Sequence, residues 1–173
     1  INQNLVDQTF KFKEKQTKPF YSLNKKIVGE AYTSKISKVV KFLKNNKVDY
    51  CFISAPENVA WLLNIRGYDS PNSPIPNARL ILNKKKELFL ITNENNLKNI
   101  ILDKKIKKNK ILSIKSLSQF LDNLEGKNFI IDNKTCSIFY EKIIKSKFNI
   151  LKLNDPVYGL KSIKNSNEIK HMI

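Results

Sequence analysis

Histidine occurs once in the 173 residues, at position 171, and cysteine twice, at positions 51 and 136. A four-ligand Cys/His zinc site needs more than that, and a Ser/His triad would have to rest on His171, next to the end of the sequence. The cysteines sit in DYCFIS and TCSIFY, among β-forming or amphipathic residues. They read as small buried hydrophobes in a reducing compartment, not as a disulfide or a nucleophile. Glycine is down to four residues, none clustered, which removes a glycine-rich phosphate loop. The 15 acidic residues are scattered, with no DxD pair and no converging set to serve general acid/base or metal-assisted hydrolysis. By itself the chain does not look like an enzyme. Long apolar runs are missing too: VAWLLNI and ELFLIT are far too short to span a bilayer, and the first residues lack a signal-peptide pattern. A soluble, cytoplasmic protein is the expectation.

Lysine is what the chain has in excess. Lys and Arg together number 32, only two of them arginines, and the formal net charge is +17. Such a charge suggests nucleic acid or an acidic membrane surface. Arginine, whose planar fork suits phosphate and guanine, is nearly absent, while Lys, Asn and Ile are abundant together, as an AT-rich coding sequence would produce. The preferred reading is a solvated basic surface. A basic nucleic-acid-binding module and a free-standing interaction domain stand as alternatives.

Hydrophobic content of 41% and aromatic content of 10% support a folded body of one domain with an attached arm. Residues 1–32 show little periodicity and read as an extended arm or connector. TSKISKVVKFLKNNK offers a Thr or Ser cap and then Ile36, Val39, Val40 and Leu43 at helical spacing, with Lys35, Lys38, Lys41 and Lys44 expected on the wet face. VDYCFIS (48–54) reads as a buried strand and PENVAWLLN (56–64) as a helix started by Pro56. A proline-rich loop, GYDSPNSPIPN, precedes a hairpin of ARLILN and ELFLIT across KKK. A helix begins near residue 96, a short strand falls at 110–114, and SLSQFLDNL forms a helix with Leu117, Phe120, Leu121 and Leu124 on one face. NFIIDN, CSIFYEKIIKS and NILKLN then alternate strand, helix, strand. The fold class expected is α/β, a mixed β-sheet flanked by helices. SNEIKHMI has Ser166 or Asn167 as a cap and then stops, too short for a helix stable by itself. That ending, with Ile1 in place of a Met, reads as a piece cut from something longer.

The block SAPENVAWLLNIRGYDSPNSPIPNARLIL (54–82) resembles the middle domain of three-domain Xaa-Pro aminopeptidases of the creatinase/prolidase superfamily. There a strand leads into a short helix with an Ala-Trp-Leu-Leu-Asn core, followed by Arg-Gly, an Asp and a proline-ended loop. Ala60, Trp61, Leu62, Leu63, Asn64, Ile65, Arg66, Gly67, Asp69 and Pro74 match that order. Pro56, Glu57, Asn58 and Tyr68 depart from it. NLVDQTF through IVGEAY resembles the connector entering that domain, and KSIKNSNEIK resembles the junction that opens a catalytic domain. The resemblance implies a creatinase N-terminal-like domain at 33–160, a connector at 1–32 and a junction helix at 161–173. It further implies a parent enzyme that removes an N-terminal residue preceding proline, using two divalent metals, usually manganese, held by two Asp, one His and two Glu of its C-terminal domain. None of those ligands maps onto this chain, and His171 is not one of them. The implied partners are the catalytic domain of the same chain, a second copy in a homodimer, and peptides with proline at the second position. Neither membrane nor nucleic acid is expected.

Within this block Trp61 is expected in the core. Asn64, Arg66, Gly67 and Asp69 are the candidates for fixing the loop or shaping substrate access. An arginine kept in a lysine-dominated chain signals a geometric demand. As a structural residue Arg66 would bond carbonyls at the strand and helix ends or pair with Asp69. As a functional one it would project toward a catalytic domain or partner subunit and restrict access. The structural reading is preferred. Gly67 is then required by a positive φ or by close backbone approach.

Overall fold

The computed structural model describes residues 18–70, 72–93, 97, 100–101 and 106–173. In chain order the elements are β1 (Tyr21–Ser22), α1 (Lys25–Val28), α2 (Tyr32–Asn45), β2 (Tyr50–Ile53), α3 (Pro56–Leu63), β3 (Ile65–Arg66), β4 (Arg79–Asn83) and β5 (Leu88–Ile91). They continue with β6 (Ile111–Leu112), α4 (Leu117–Asp122), β7 (Asn128–Ile131), α5 (Ile138–Lys145), β8 (Asn149–Lys152), α6 (Pro156–Ser162) and α7 (Ser166–Lys170). The helix expected from residue 96 falls mostly outside the described residues.

Six strands form one mixed sheet in the order β6-β5-β4-β2-β7-β8, and β1 pairs with β3 in a separate small ribbon. Strand β4 alone runs against its neighbours, because it belongs to the KKK hairpin with β5 and also pairs antiparallel with β2; the other contacts are parallel. Side chains alternate between two apolar layers. Cys51, Ile53, Leu80, Leu82, Leu90 and Ile130 join the layer under α2, α3 and α6, whereas Tyr50, Phe52, Ile81, Phe89 and Phe129 join the layer under α4 and α5. Strand β2, central and buried on both faces, therefore reads as a continuous apolar run and not as an alternating one. The expected α/β architecture is what the chain adopts.

Helix α2 places Ile36, Val39, Val40 and Leu43 in the core, each burial contributing about 1.5–3 kcal/mol. Its start departs from expectation. Ala31 occupies the N-cap position without a side-chain cap, and Ser34, inside the first turn, donates to Glu30 Oε1 at 2.6 Å. Lys38, Lys41 and Lys44 are exposed as expected, but Lys35 is 1% exposed.

Two stretches carry more structure than their sequence periodicity announces. The described part of the arm contains Phe20, fully buried, and β1, whose Tyr21 and Ser22 pair with Arg66 and Ile65. Residues 156–162 form α6, started by an Asp155 side chain that accepts from Val157 N and by Pro156 in the first turn. Cys51 is buried, Cys136 is half-buried, and both are free.

Candidate functional site at the WLLNIRG turn

Helix α3 begins at Pro56 and ends where Asn64 turns left-handed, at φ 53° and ψ 45°. Asparagine tolerates that conformation better than other residues with a Cβ, and its amide N–H returns to Ala60 O and Trp61 O to close the helix. The Asn64 side chain then does a second job. Its Nδ2 donates to Glu30 O at 2.8 Å, its Oδ1 accepts from Lys35 Nζ at 2.8 Å, and its backbone oxygen accepts from Leu23 N at 2.9 Å. One residue thus ties α3 to the connector and to α2.

Lys35 is the main correction to the sequence reading. A lysine at every third residue suggested solvent, yet the Lys35 ammonium turns inward and donates to Trp61 O at 2.9 Å as well as to Asn64. It also stands 3.8 Å from the centroid of the Trp61 ring. Burial pushes the Lys35 amine down to about 8; Glu168 and Glu30 oppose that shift, while Arg66 and Lys38 add to it. Trp61 is itself not a core residue in the full sense. It is half-buried at the edge of the core, and its Nε1 donates to Glu168 Oε1 of α7 at 3.0 Å.

Arg66, half-buried at the end of β3, sends Nη1 to Ile65 O at 2.8 Å and, at a long 3.4 Å, to Ala60 O. Desolvation lowers the pKa of its guanidinium. Gly67 is explained by close approach and not by a positive φ: a Cβ there would lie 2.7 Å from Pro76 Cα and 3.1 Å from Phe20 Cδ1. Gly67 N donates to Pro74 O at 3.1 Å, and Asp69 Oδ2 accepts from Asn77 N at 2.6 Å. Asn64, Arg66, Gly67 and Asp69 therefore lie along one turn and its loop, with Phe20 of the connector plugged beneath.

Helix α7 docks against the same turn. Asn165, not Ser166 or Asn167, is its N-cap: Asn165 Oδ1 accepts from Asn167 N and Glu168 N, while Glu168 Oε2 accepts from Asn165 N. Asn165 Nδ2 and Asn167 Nδ2 donate to Val28 O and Lys26 O at 2.9 and 2.7 Å. Gly29, at φ +76°, makes this contact possible, since a Cβ would come within 2.3 Å of Asn165 Oδ1. A cleft of about 300 Å³ remains, with Lys35, Trp61, Arg66, Glu168 and His171 among its lining residues.

A second buried polar cluster lies at the carboxyl ends of β7 and β8. Asn58, one of the departures from the family pattern, is fully buried, donating to Asp155 Oδ2 at 2.7 Å and accepting from Lys161 Nζ at 2.7 Å. Asp132 Oδ2 accepts from Asp155 N at 2.9 Å. Burial raises the pKa of the Asp155 carboxyl, against the hydrogen bonds from Asn58 and Val157. The signal for this cluster was the Asp155-Pro156 pair, which is an N-cap followed by a first-turn proline.

Among the described residues no group of three or more His, Cys, Asp or Glu could hold a metal ion. The exposed His171 ends α7. Also among these residues, no helix is long and apolar enough to cross a membrane. The turn is built to hold elements together: its polar groups are spent on backbone carbonyls, caps and one another.

Known proteins share this frame. Xaa-Pro aminopeptidase 1 of Dictyostelium discoideum is 27% identical over 179 residues, covering 98% of this chain and 28% of that protein. A probable Xaa-Pro aminopeptidase P of Laccaria bicolor is 24% identical over 181 residues, covering 98% and 27%. Among solved structures, the X-prolyl aminopeptidase of Caenorhabditis elegans, described as a cytosolic enzyme with a di-nuclear active site, matches with TM-score 0.81 at 21% identity over 99% of this chain and 29% of that one. The prolidase of Pyrococcus horikoshii OT3 matches with TM-score 0.52 at 22% identity over 79% and 37%. The chain thus spans just over a quarter of the length of these curated relatives, and nothing in them supports the nucleic-acid reading. The family model for the creatinase/prolidase N-terminal domain matches residues 12–168, and this chain belongs to that family.

Proposed function

We propose that the chain is the non-catalytic middle part of a metal-dependent Xaa-Pro aminopeptidase that removes an N-terminal residue preceding proline. The observation that carries this reading is the match along nearly all of the chain to relatives of that name, of which it makes up only 28% and 27%. In this reading residues 1–32 are a connector, 33–160 the domain body and 161–173 the junction to a catalytic domain. The domain supports that catalytic domain, shapes substrate access and contributes contacts to a homodimer in the cytoplasm. The metal pair, manganese in this reading, does not fit the described residues, which offer no ligand cluster. Its ligands, two Asp, one His and two Glu, belong to the catalytic domain, and no step of hydrolysis runs through the residues seen here.

Asn64, Arg66, Gly67 and Asp69 have the role of fixing the loop. The two carbonyl bonds of Arg66 and the Asp69 bond to the far end of the loop support it. The test compares the 173-residue chain with a protein continued to the length of its relatives, each supplied with manganese and an Xaa-Pro peptide. Release of the first residue by the longer protein alone is expected. Hydrolysis by the short chain, or a continuation lacking the five ligands, would overturn the assignment. In the longer protein, Arg66→Lys is expected to lower stability while the folded fraction keeps its specific activity. Normal stability with reduced turnover would place Arg66 at the substrate entrance.

A further inference from the structure

Trp61 stands between two ions that come from distant parts of the chain. The Lys35 ammonium sits over its face at 3.8 Å, and the Glu168 carboxylate accepts from its Nε1 at 3.0 Å. An indole is electron-rich on its face and electron-poor at its N–H edge, so each ion meets the side of the ring that suits it. Each ion is also fixed by its own frame, Lys35 by Trp61 O and Asn64 Oδ1, Glu168 by the capping box of α7.

We propose that Lys35, Trp61 and Glu168 form a charge-dependent latch on α7: the ammonium, acting across the indole, holds the Glu168 carboxylate and with it residues 165–170 against the domain, and loss of the Lys35 proton loosens that hold. Attraction between the two ions is reciprocal. If Glu168 favours the proton on Lys35, the proton favours docked Glu168 by the same factor. Of the charges that act on Lys35, Glu168 is the strongest attraction, ahead of Glu30, with Arg66 on β3 and Lys38 on α2 opposing. Glu30 is shared with Lys38, at 2.8 Å, and Lys164 and His171 line the same cleft. Because burial holds the amine at about 8, the latch changes state just above neutral pH. It concerns this chain's own helix, so its failure would leave the peptidase reading untouched.

Glu168→Gln removes the charge and one of two acceptors. The single amide oxygen of glutamine replaces either the oxygen that accepts from the indole or the one that accepts from Asn165 N, so the change of the rate ratio with pH isolates the charge. The readout is trypsin cleavage after Lys164 in the full 173-residue chain, whose rate follows the opened population when reclosing is fast. At pH 7 the Gln variant is expected to be cut roughly two- to fivefold faster than the native chain through the lost charge alone, the factor that an ion-pair coupling of ordinary strength implies. At about pH 9.5 the ratio of the two rates should fall by that same factor, the pH response of the protease cancelling between variants. On a Lys35→Arg background, charged at both pH values, the ratio should persist. Equal ratios at the two pH values in the native background, or no difference at pH 7, would overturn the latch.

Discussion

The buried Lys35 amine should leave its mark on stability as a function of pH. Its pKa falls from an ordinary 10.5 to about 8 in the folded chain, chiefly through burial. Below pH 8 both folded and unfolded chains carry the proton, so the cost of burying the charge is present in full. Between 8 and 10.5 the folded chain gives up the proton while the unfolded chain keeps it. Unfolding then takes up protons, and the unfolding free energy rises with pH. At 1.36 kcal/mol per pH unit the whole rise is about 3 kcal/mol. Lys35→Met removes the titrating group at similar length, and its offset at neutral pH reflects two acceptors, Trp61 O and Asn64 Oδ1, losing their donor, about 1–3 kcal/mol for each group left unpaired. Tyr50 and Tyr158, whose pKa values lie above the ordinary tyrosine value, contribute to both proteins alike. Urea unfolding followed by Trp61, the sole tryptophan, measures both chains at pH 7 and pH 10. The native chain should gain stability over the variant by about 2–3 kcal/mol across that interval. A difference that stays flat, or one that shrinks, would refute the claim that burial outweighs the surrounding carboxylates.

Gly67→Ala drives a methyl to 2.7 Å from Pro76 backbone, so a loss of about 1–3 kcal/mol is expected, seen as a lower Tm. Gly29→Ala meets both an unfavourable φ of +76° and the Asn165 side chain, and should release α7 more than it unfolds the body: faster trypsin cleavage after Lys164 with a near-native near-ultraviolet spectrum. Cys136, its thiol pushed up to about 11 by burial with Glu141 assisting, should react slowly with a disulfide reagent at pH 7.5, and Cys51, buried within β2, only after unfolding.

The layered body was legible because its elements are long enough to show a period. Ile36, Val39, Val40 and Leu43 announce one helix face, and YCFI announces a strand covered on both sides. Strand β1, helix α1 and helix α7 were not legible, or only in part, since two, four and five residues carry no period. Strand β1 takes its structure from its pairing with β3, and α1 and α7 from contacts across more than 130 positions, such as Asn165 with Val28 and Asn167 with Lys26. Within the site, Asn64, Arg66, Gly67 and Asp69 were found from their order along the chain. Glu168 and Lys35 were hidden, because each is an ordinary charged residue at a spacing where charge faces solvent. Lys35 differs from Lys38 and Lys41 only in what α3 and its Asn64 cap bring over it.

This dual character of Lys35 explains why the latch and the global stability respond to pH in opposite directions without contradiction. Desolvation is felt by the ammonium whenever the domain is folded, so losing the proton favours the folded body as a whole. Attraction to Glu168 is felt only when α7 is docked, so losing the same proton weakens that one contact. Burial is the larger of the two, as the direction of the Lys35 shift requires. A domain with an apolar residue at position 35 would shed the cost of burying the ammonium and lose the donor to Trp61 O and Asn64 Oδ1. It would also hold α7 without regard to charge. An inward lysine against Trp61 and Asn64 therefore carries a desolvation cost together with a charge-specific hold on the segment past residue 165.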